Sequence, residues 1–234
     1  MIYFLLSIVF AGQMTLQNTY NGKFSINVEG TGDRAVIFVH DDGGDKRNFE
    51  GLAGQMANES LRTVTFDLIG HGERADTVAM DPFIYLDIQT IILQLRKDGV
   101  RDVQCVGAGF GGTLCLQAIT EDTPMSQVAI ISPITPVRHQ SVMSNIDAYP
   151  EFPVFVIAGS QDIISLPAVL KLEEKRTLLL LNPNTSKRGT SILIEYPEME
   201  KELRMWIWKK SEKFPRSPMK IDVNIEVKGE NLPY

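Results

Sequence analysis

Apolar runs and turn residues alternate along most of this chain. Residues 35–40 (AVIFVH), 127–132 (QVAIIS), 154–158 (VFVIA) and 177–181 (TLLLL) are apolar almost throughout. Unbroken apolar runs of this length mark strands buried on both faces. Residues 24–28 alternate instead and predict an edge strand, and residues 62–68 and 103–107 add two more strands. Between them lie helical stretches at 46–57, 81–98, 110–120, 166–174 and 198–210. The clearest is 81–98, where Ile84, Ile88, Ile91, Ile92 and Leu95 form one stripe at a spacing of about 3.6 residues. Pro82 suits its first turn and Gly99 its end. Strand–helix alternation of this kind predicts an α/β fold, a doubly wound, mostly parallel sheet covered on both faces, with right-handed crossovers.

Composition agrees with one globular domain. The 234 residues are 44% apolar and 22% charged, enough to bury a full core. The net charge of −6 argues against nucleic acid, whose binders carry basic patches. Residues 1–12 (MIYFLLSIVFAG) are uncharged and apolar but too short to span a bilayer, which takes roughly 20 residues. With Val9 and Ala11 placed for cleavage, residues 1–11 read as a signal peptide and predict export to the periplasm or the outside; the alternatives are a first strand of the domain or a wrongly chosen start, in a protein that stays cytoplasmic. The globular domain is placed at 15–212. Residues 133–153 are the one long irregular connection, too short for a separate lid domain. Residues 213–234 form a tail whose alternating KIDVNIEV reads either as a strand added to a sheet edge or as a loosely attached end. Cys105 and Cys115 match no zinc or redox spacing and read as small buried apolar residues rather than a disulfide. Trp206, with Leu203 and Ile207, reads as core on the last helix, which also carries Trp208. Lys209, Lys210, Lys213, Arg216 and Lys220 read as a solvated basic face.

In an open parallel sheet, ligands bind beyond the carboxyl ends of the strands. The segments there are His40-Asp41-Asp42-Gly43-Gly44, Asp67-Leu68-Ile69-Gly70-His71-Gly72-Glu73, Gly107-Ala108-Gly109-Phe110-Gly111-Gly112-Thr113, Gly159-Ser160-Gln161-Asp162 and Ser186-Lys187-Arg188-Gly189-Thr190. Taken in order, they resemble the α/β-hydrolase superfamily over roughly residues 22–210, most closely its small members with little or no cap, such as the compact esterases related to dienelactone hydrolases. VHDDGG resembles the H-G-x-x-G oxyanion turn, and FDLIGHGE the D-x-x-G-H-G-x-S stretch. GAGFGG stands where the family has its G-x-S-x-G-G nucleophile elbow. GSQD resembles the turn carrying the triad acid, and RGT the H-G-T carrying the triad histidine.

The departures from that pattern matter more than the matches. The resemblance puts Gly109 at the nucleophile, Asp162 at the acid and Arg188 at the base. Glycine has no oxygen to attack a carbonyl, and a guanidinium holds its proton at any working pH. His40, Asp41, Asp42 and Phe110 are the oxyanion-turn positions, with the N–H groups of Asp42 and Phe110 as the expected donors. Asp41 replaces a glycine, and two carboxylates there disfavour a developing negative charge. The expectation is therefore a catalytically degenerate relative that binds a small ligand or a protein partner. A pocket over Gly109 gains space, and Arg188 either pairs with Asp162 or faces an acidic ligand. Thr113, His139, His71, Ser160 and Ser165 are the residues from which a rebuilt site would have to be drawn, giving a weak or unorthodox esterase as the alternative. A second alternative is dinucleotide binding, because Gly107, Gly109 and Gly112 satisfy G-x-G-x-x-G after a strand. The acidic residue that motif wants about 20 positions on is missing. No metal, cofactor or membrane span is expected, and nothing in the pattern specifies the oligomeric state.

Overall fold

The computed structural model describes residues 11–18, 20–58, 61–77, 83–134, 153–175 and 178–209. Strands β1 (Ala11–Asn18), β2 (Gly22–Glu29), β3 (Arg34–Val39), β4 (Arg62–Phe66), β5 (Asp102–Ala108), β6 (Gln127–Ile131), β7 (Val154–Ile157) and β8 (Leu178–Leu181) form one sheet. Its order is β1-β2-β4-β3-β5-β6-β7-β8. β2 is antiparallel to β1 and β4, and the remaining pairs are parallel. The strand predicted as an edge over 24–28 is interior, because β1 pairs outside it from Ala11↔Glu29 to Asn18↔Gly22. β1 escaped notice because in its sequence, AGQMTLQN, Leu16 and the polar Asn18 are buried while Gln13, Thr15 and Gln17 are exposed.

Helices α1 (Arg47–Asn58), α2 (Leu86–Lys97), α3 (Phe110–Gln117), α4 (Leu166–Lys175), α5 (Ser191–Glu195) and α6 (Pro197–Trp208) cover the sheet. Successive strand residues point to opposite faces, and β3 shows both. Val36 and Phe38 pack with Phe49 and Met56 of α1 and Trp206 and Ile207 of α6. Ala35, Ile37 and Val39 pack with Ile88, Ile91 and Leu95 of α2, Leu114 of α3 and Leu172 of α4. Trp206 lies in the core as expected, stacked on Phe155 at 5.3 Å between ring centroids. The predicted stripe Ile84, Ile88, Ile91, Ile92 and Leu95 is buried, although α2 itself starts only at Leu86. Gly99, at φ +83°, ends it in the left-handed conformation that glycine adopts freely. Residues 1–10, Pro82, His139 and the tail from 210 on lie outside the described residues.

Polar groups buried in this frame are used to tie distant segments. Arg74 donates to Asp87 Oδ2 (2.6 Å) and to the Asn21 carbonyl (3.2 Å), and Asn21 Nδ2 donates to Asp87 Oδ1 (3.1 Å). Burial pushes the Asp87 carboxyl up, and Arg74 pulls it back down. The last carbonyls of a helix have no partner within it. Those of α6 are met by Gln127 Nε2 at Trp206 O (3.1 Å), Gln104 Nε2 at Ile207 O (3.2 Å) and Arg34 Nη2 at Ile207 O (2.8 Å). Cys105 and Cys115 are joined in a disulfide, against the expectation of two separate thiols. The chain turns back after β5 so that α3 lies on that strand, which leaves the two Cα atoms 5.9 Å apart, within bridging distance.

Candidate functional site

The site lies at the carboxyl end of the parallel strands. At the end of β3, His40 is fully buried. Its Nδ1–H donates to the Asp41 carbonyl (2.8 Å), and its Nε2 accepts the Leu68 N–H (2.9 Å). One donor and one acceptor describe a neutral ring, and burial pushes its pKa down in agreement. His40 therefore fastens the β3 turn to the end of β4. The Asp67 turn after β4 is held similarly, accepting the N–H groups of Lys46 (2.8 Å) and Glu73 (2.9 Å). Gly72 is required there, since a Cβ on it would lie 2.3 Å from the Asp67 carboxyl carbon. His71 Nδ1–H donates to the Ile69 carbonyl (3.1 Å), and its Nε2 faces Asp42 Oδ1 at 3.0 Å. Its role is to hold the turn.

Between β5 and α3 stands Gly109, at φ +48° and ψ −113°. That conformation is open to glycine and strained for other residues. The neighbouring glycines serve close packing. A Cβ on Gly107 would meet Gly112 N at 2.3 Å, one on Gly111 would meet Val39 O at 2.4 Å, and one on Gly112 would meet the Ile130 side chain at 2.3 Å. α3 is pressed onto the sheet at these points. The room that a G-x-G-x-x-G loop keeps for a pyrophosphate is taken up at Gly107 and Gly112 by protein atoms.

Asp41 occupies the space over Gly109. Its Oδ1 accepts the N–H of Phe110 (2.8 Å) and that of Asp42 (2.8 Å), the expected donor pair. A Cβ on Gly109 would lie 2.0 Å from Asp41 Oδ1 and 2.2 Å from Oδ2. The extra space expected over a bare glycine is thus filled by a neighbouring side chain. Burial raises the Asp41 pKa, and the two N–H groups and the Arg188 charge lower it.

Arg188 and Asp162 meet. Arg188 Nε donates to Asp162 Oδ2 (3.1 Å). The same oxygen receives the Ser165 hydroxyl, and Asp162 Oδ1 accepts the N–H groups of Ile164 (3.1 Å) and Ser165 (3.2 Å). The Asp162 side chain is 1% exposed and that of Arg188 31%. A carboxylate so fully engaged has little capacity left to orient anything else. Next to Arg188, the Gly189 N–H donates to Ser132 Oγ (2.8 Å).

The model of the Alpha/beta hydrolase family matches residues 36–209. The chain belongs to this family. No curated protein sequence matches it. Among solved structures, an esterase from Pyrococcus furiosus superposes with a TM-score of 0.72 at 13% identity, covering 85% of this chain and 92% of that one. An esterase from Exiguobacterium antarcticum gives 0.66 at 13% identity, over 83% of this chain and 99% of that one. A serine hydrolase without a lid from Xanthomonas campestris gives 0.63 at 18% identity, over 85% and 96%. At such identities the likeness concerns the fold, and it agrees with an α/β-hydrolase fold with little or no cap.

Within this alpha/beta hydrolase framework, the remaining candidates do not gather at Gly109. Thr113 is buried on α3, and its hydroxyl has no hydrogen-bond partner among the described residues. Ser160 donates to Asn184 Oδ1 (3.3 Å), Ser165 belongs to the Asp162 turn, and His139 lies outside the described residues. Among the described residues no group of His, Cys, Asp and Glu could hold a metal ion, and no helix is long and apolar enough to cross a membrane. A groove of about 410 Å³ is lined by residues of α6 alone, such as Pro197, Lys201 and Met205, so it is separate from the site. Sequence reasoning missed Ser132, which is buried at φ +52°. A residue other than glycine at positive φ is uncommon enough to flag a site. The sequence signal was the Ser-Pro pair closing β6.

Proposed function

We propose that this chain is a catalytically degenerate alpha/beta hydrolase that acts by binding a ligand or a partner rather than by turning over esters. The reading rests on one observation: a glycine stands at the elbow, and the atoms directly above it are those of the Asp41 carboxylate. Acyl transfer needs an attacking oxygen and a base that takes its proton. At the corresponding positions are Gly109 and an Arg188 paired with Asp162. A binding role is favoured by the apolar side chains that follow Asp162. Ile163 is 82% exposed, and Ile164, Leu166 and Leu170 are also exposed. Exposed apolar residues in a run mark contact surfaces.

The test is labelling of the purified native protein with a fluorophosphonate probe, alongside a panel of short-chain esters. No adduct and no turnover above buffer are expected. An adduct, or turnover abolished by Asp162→Ala, would replace this reading with that of a weak or unorthodox esterase. One observation keeps that alternative in view: the N–H groups of Phe110 and Asp42 still converge on a single point. Export is proposed as well, because a disulfide persists in oxidising compartments and is rare in the cytosol.

A further inference from the structure

We propose that Asp41 is a tethered ligand, its carboxylate being the resident occupant of the oxyanion hole, and that Gly109 is glycine because this occupant needs the room. The proposal rests on reading Gly109 as the elbow position and says what has become of the hole beside it.

The chain leaves β3 with its backbone fixed by His40, whose Nδ1–H holds the Asp41 carbonyl. The short Asp41 side chain then places Oδ1 2.8 Å from both the Phe110 and the Asp42 nitrogens. Hydrogen bonds from N–H groups to an ionised oxygen are about twice as strong as neutral ones. Phe110 N also opens α3, whose positive end favours an anion. The Arg188 charge acts on the same carboxylate. An ester carbonyl arriving here would find both donors engaged and a negative charge where its own charge has to develop.

The steric side is as definite. A side chain at position 109 would begin 2.0 Å from Asp41 Oδ1, closer than real Cβ contacts come. A serine at 109 and a carboxylate seated from 41 therefore exclude each other. The two positions form one unit, and restoring the serine alone would expel Asp41 or distort the elbow.

The experiment is a thermal-denaturation cycle on the full chain with the native protein, Asp41→Gly, Gly109→Ala and the double variant. It is run in sodium chloride and in sodium formate of equal ionic strength. In the native background Gly109→Ala should lower the melting temperature clearly more than it does beside Asp41→Gly, because the strain at positive φ is common to both and the clash is not. Formate should raise the melting temperature of Asp41→Gly in a saturable way, by roughly 3–6 °C at ten times its dissociation constant, and leave the native protein unmoved. Should Asp41→Gly not fold, Asp41→Ala empties the hole equally, while Asp41→Asn keeps an oxygen in it and should ignore formate. Equal losses from Gly109→Ala in both backgrounds, or an equal formate response with and without the Asp41 carboxylate, would overturn the proposal. Fluorophosphonate labelling of the native protein would instead remove the non-hydrolytic reading while a normal formate result left the tethered carboxylate standing.

Discussion

His40 shows how a residue at the catalytic end of the fold can serve structure alone. Its ring is neutral in the folded protein, with a pKa pushed below the ordinary value of about 6.5 by burial. The unfolded chain takes up a proton near pH 6.5 that the folded chain refuses. Stability from this group is therefore complete above about pH 6.5 and is lost as the pH falls toward the folded value, by up to about 1.4 kcal/mol per pH unit. Melting temperatures measured between pH 7 and 5 should fall more steeply for the native protein than for His40→Gln, which cannot take a proton. Parallel curves would remove His40 from the account. The motif around this residue was readable in the sequence, but the seat of Asp41 was not. That depends on where one methylene swings a carboxylate, which a turn's residue types leave open.

At the level of elements, α3 is the part on which the site depends. It is eight residues long and buried throughout, too short to persist without its packing. The bond from Cys105 to Cys115 fastens it to β5 across the Gly109 turn. Closing a loop of this size contributes about 3 kcal/mol in the chain-entropy account. The double variant Cys105→Ala/Cys115→Ala should lose about that much in urea unfolding at pH 7, and a loss below ~1 kcal/mol would mean the bond only decorates a turn already fixed. The strands β3, β6, β7 and β8 were legible because unbroken apolar runs have few other uses, and α2 because its isoleucines repeat at helical spacing. β1 was not, since a half-polar strand beside a strongly apolar segment yields to the louder signal. α5 is a five-residue helix, too brief for its period to show. The disulfide stayed hidden because a separation of ten residues says nothing about whether two Cα atoms end up neighbours.

Across the whole molecule, order of segments carried the reading further than any single motif. Five weak matches, each after a strand, specified the fold, and the proposed roles of Gly109, Asp162 and Arg188 rest on the same register. The positions of Arg188 and Asp162 left two outcomes open, a pair with each other or an arginine facing an acidic ligand, and the two side chains lie 3.1 Å apart. The exposure of Ile163, Ile164, Leu166 and Leu170 after Asp162 was not written in the pattern, because an apolar run reads the same whether it is covered or open.

The three side chains that reach the end of α6 set the order in which the protein can be completed. Arg34 comes from the first parallel strand, and its acceptor, Ile207, lies 173 positions later. Until a ribosome has delivered that distant segment, Gln127 Nε2 can still donate to Gln104 Oε1 (2.9 Å), but the α6 carbonyls that both amides and Arg34 serve are missing. Fragments ending before residue 197 should accordingly be degraded quickly by thermolysin under conditions that leave the full chain intact. A resistant fragment would show that the early strands can close without the last helix.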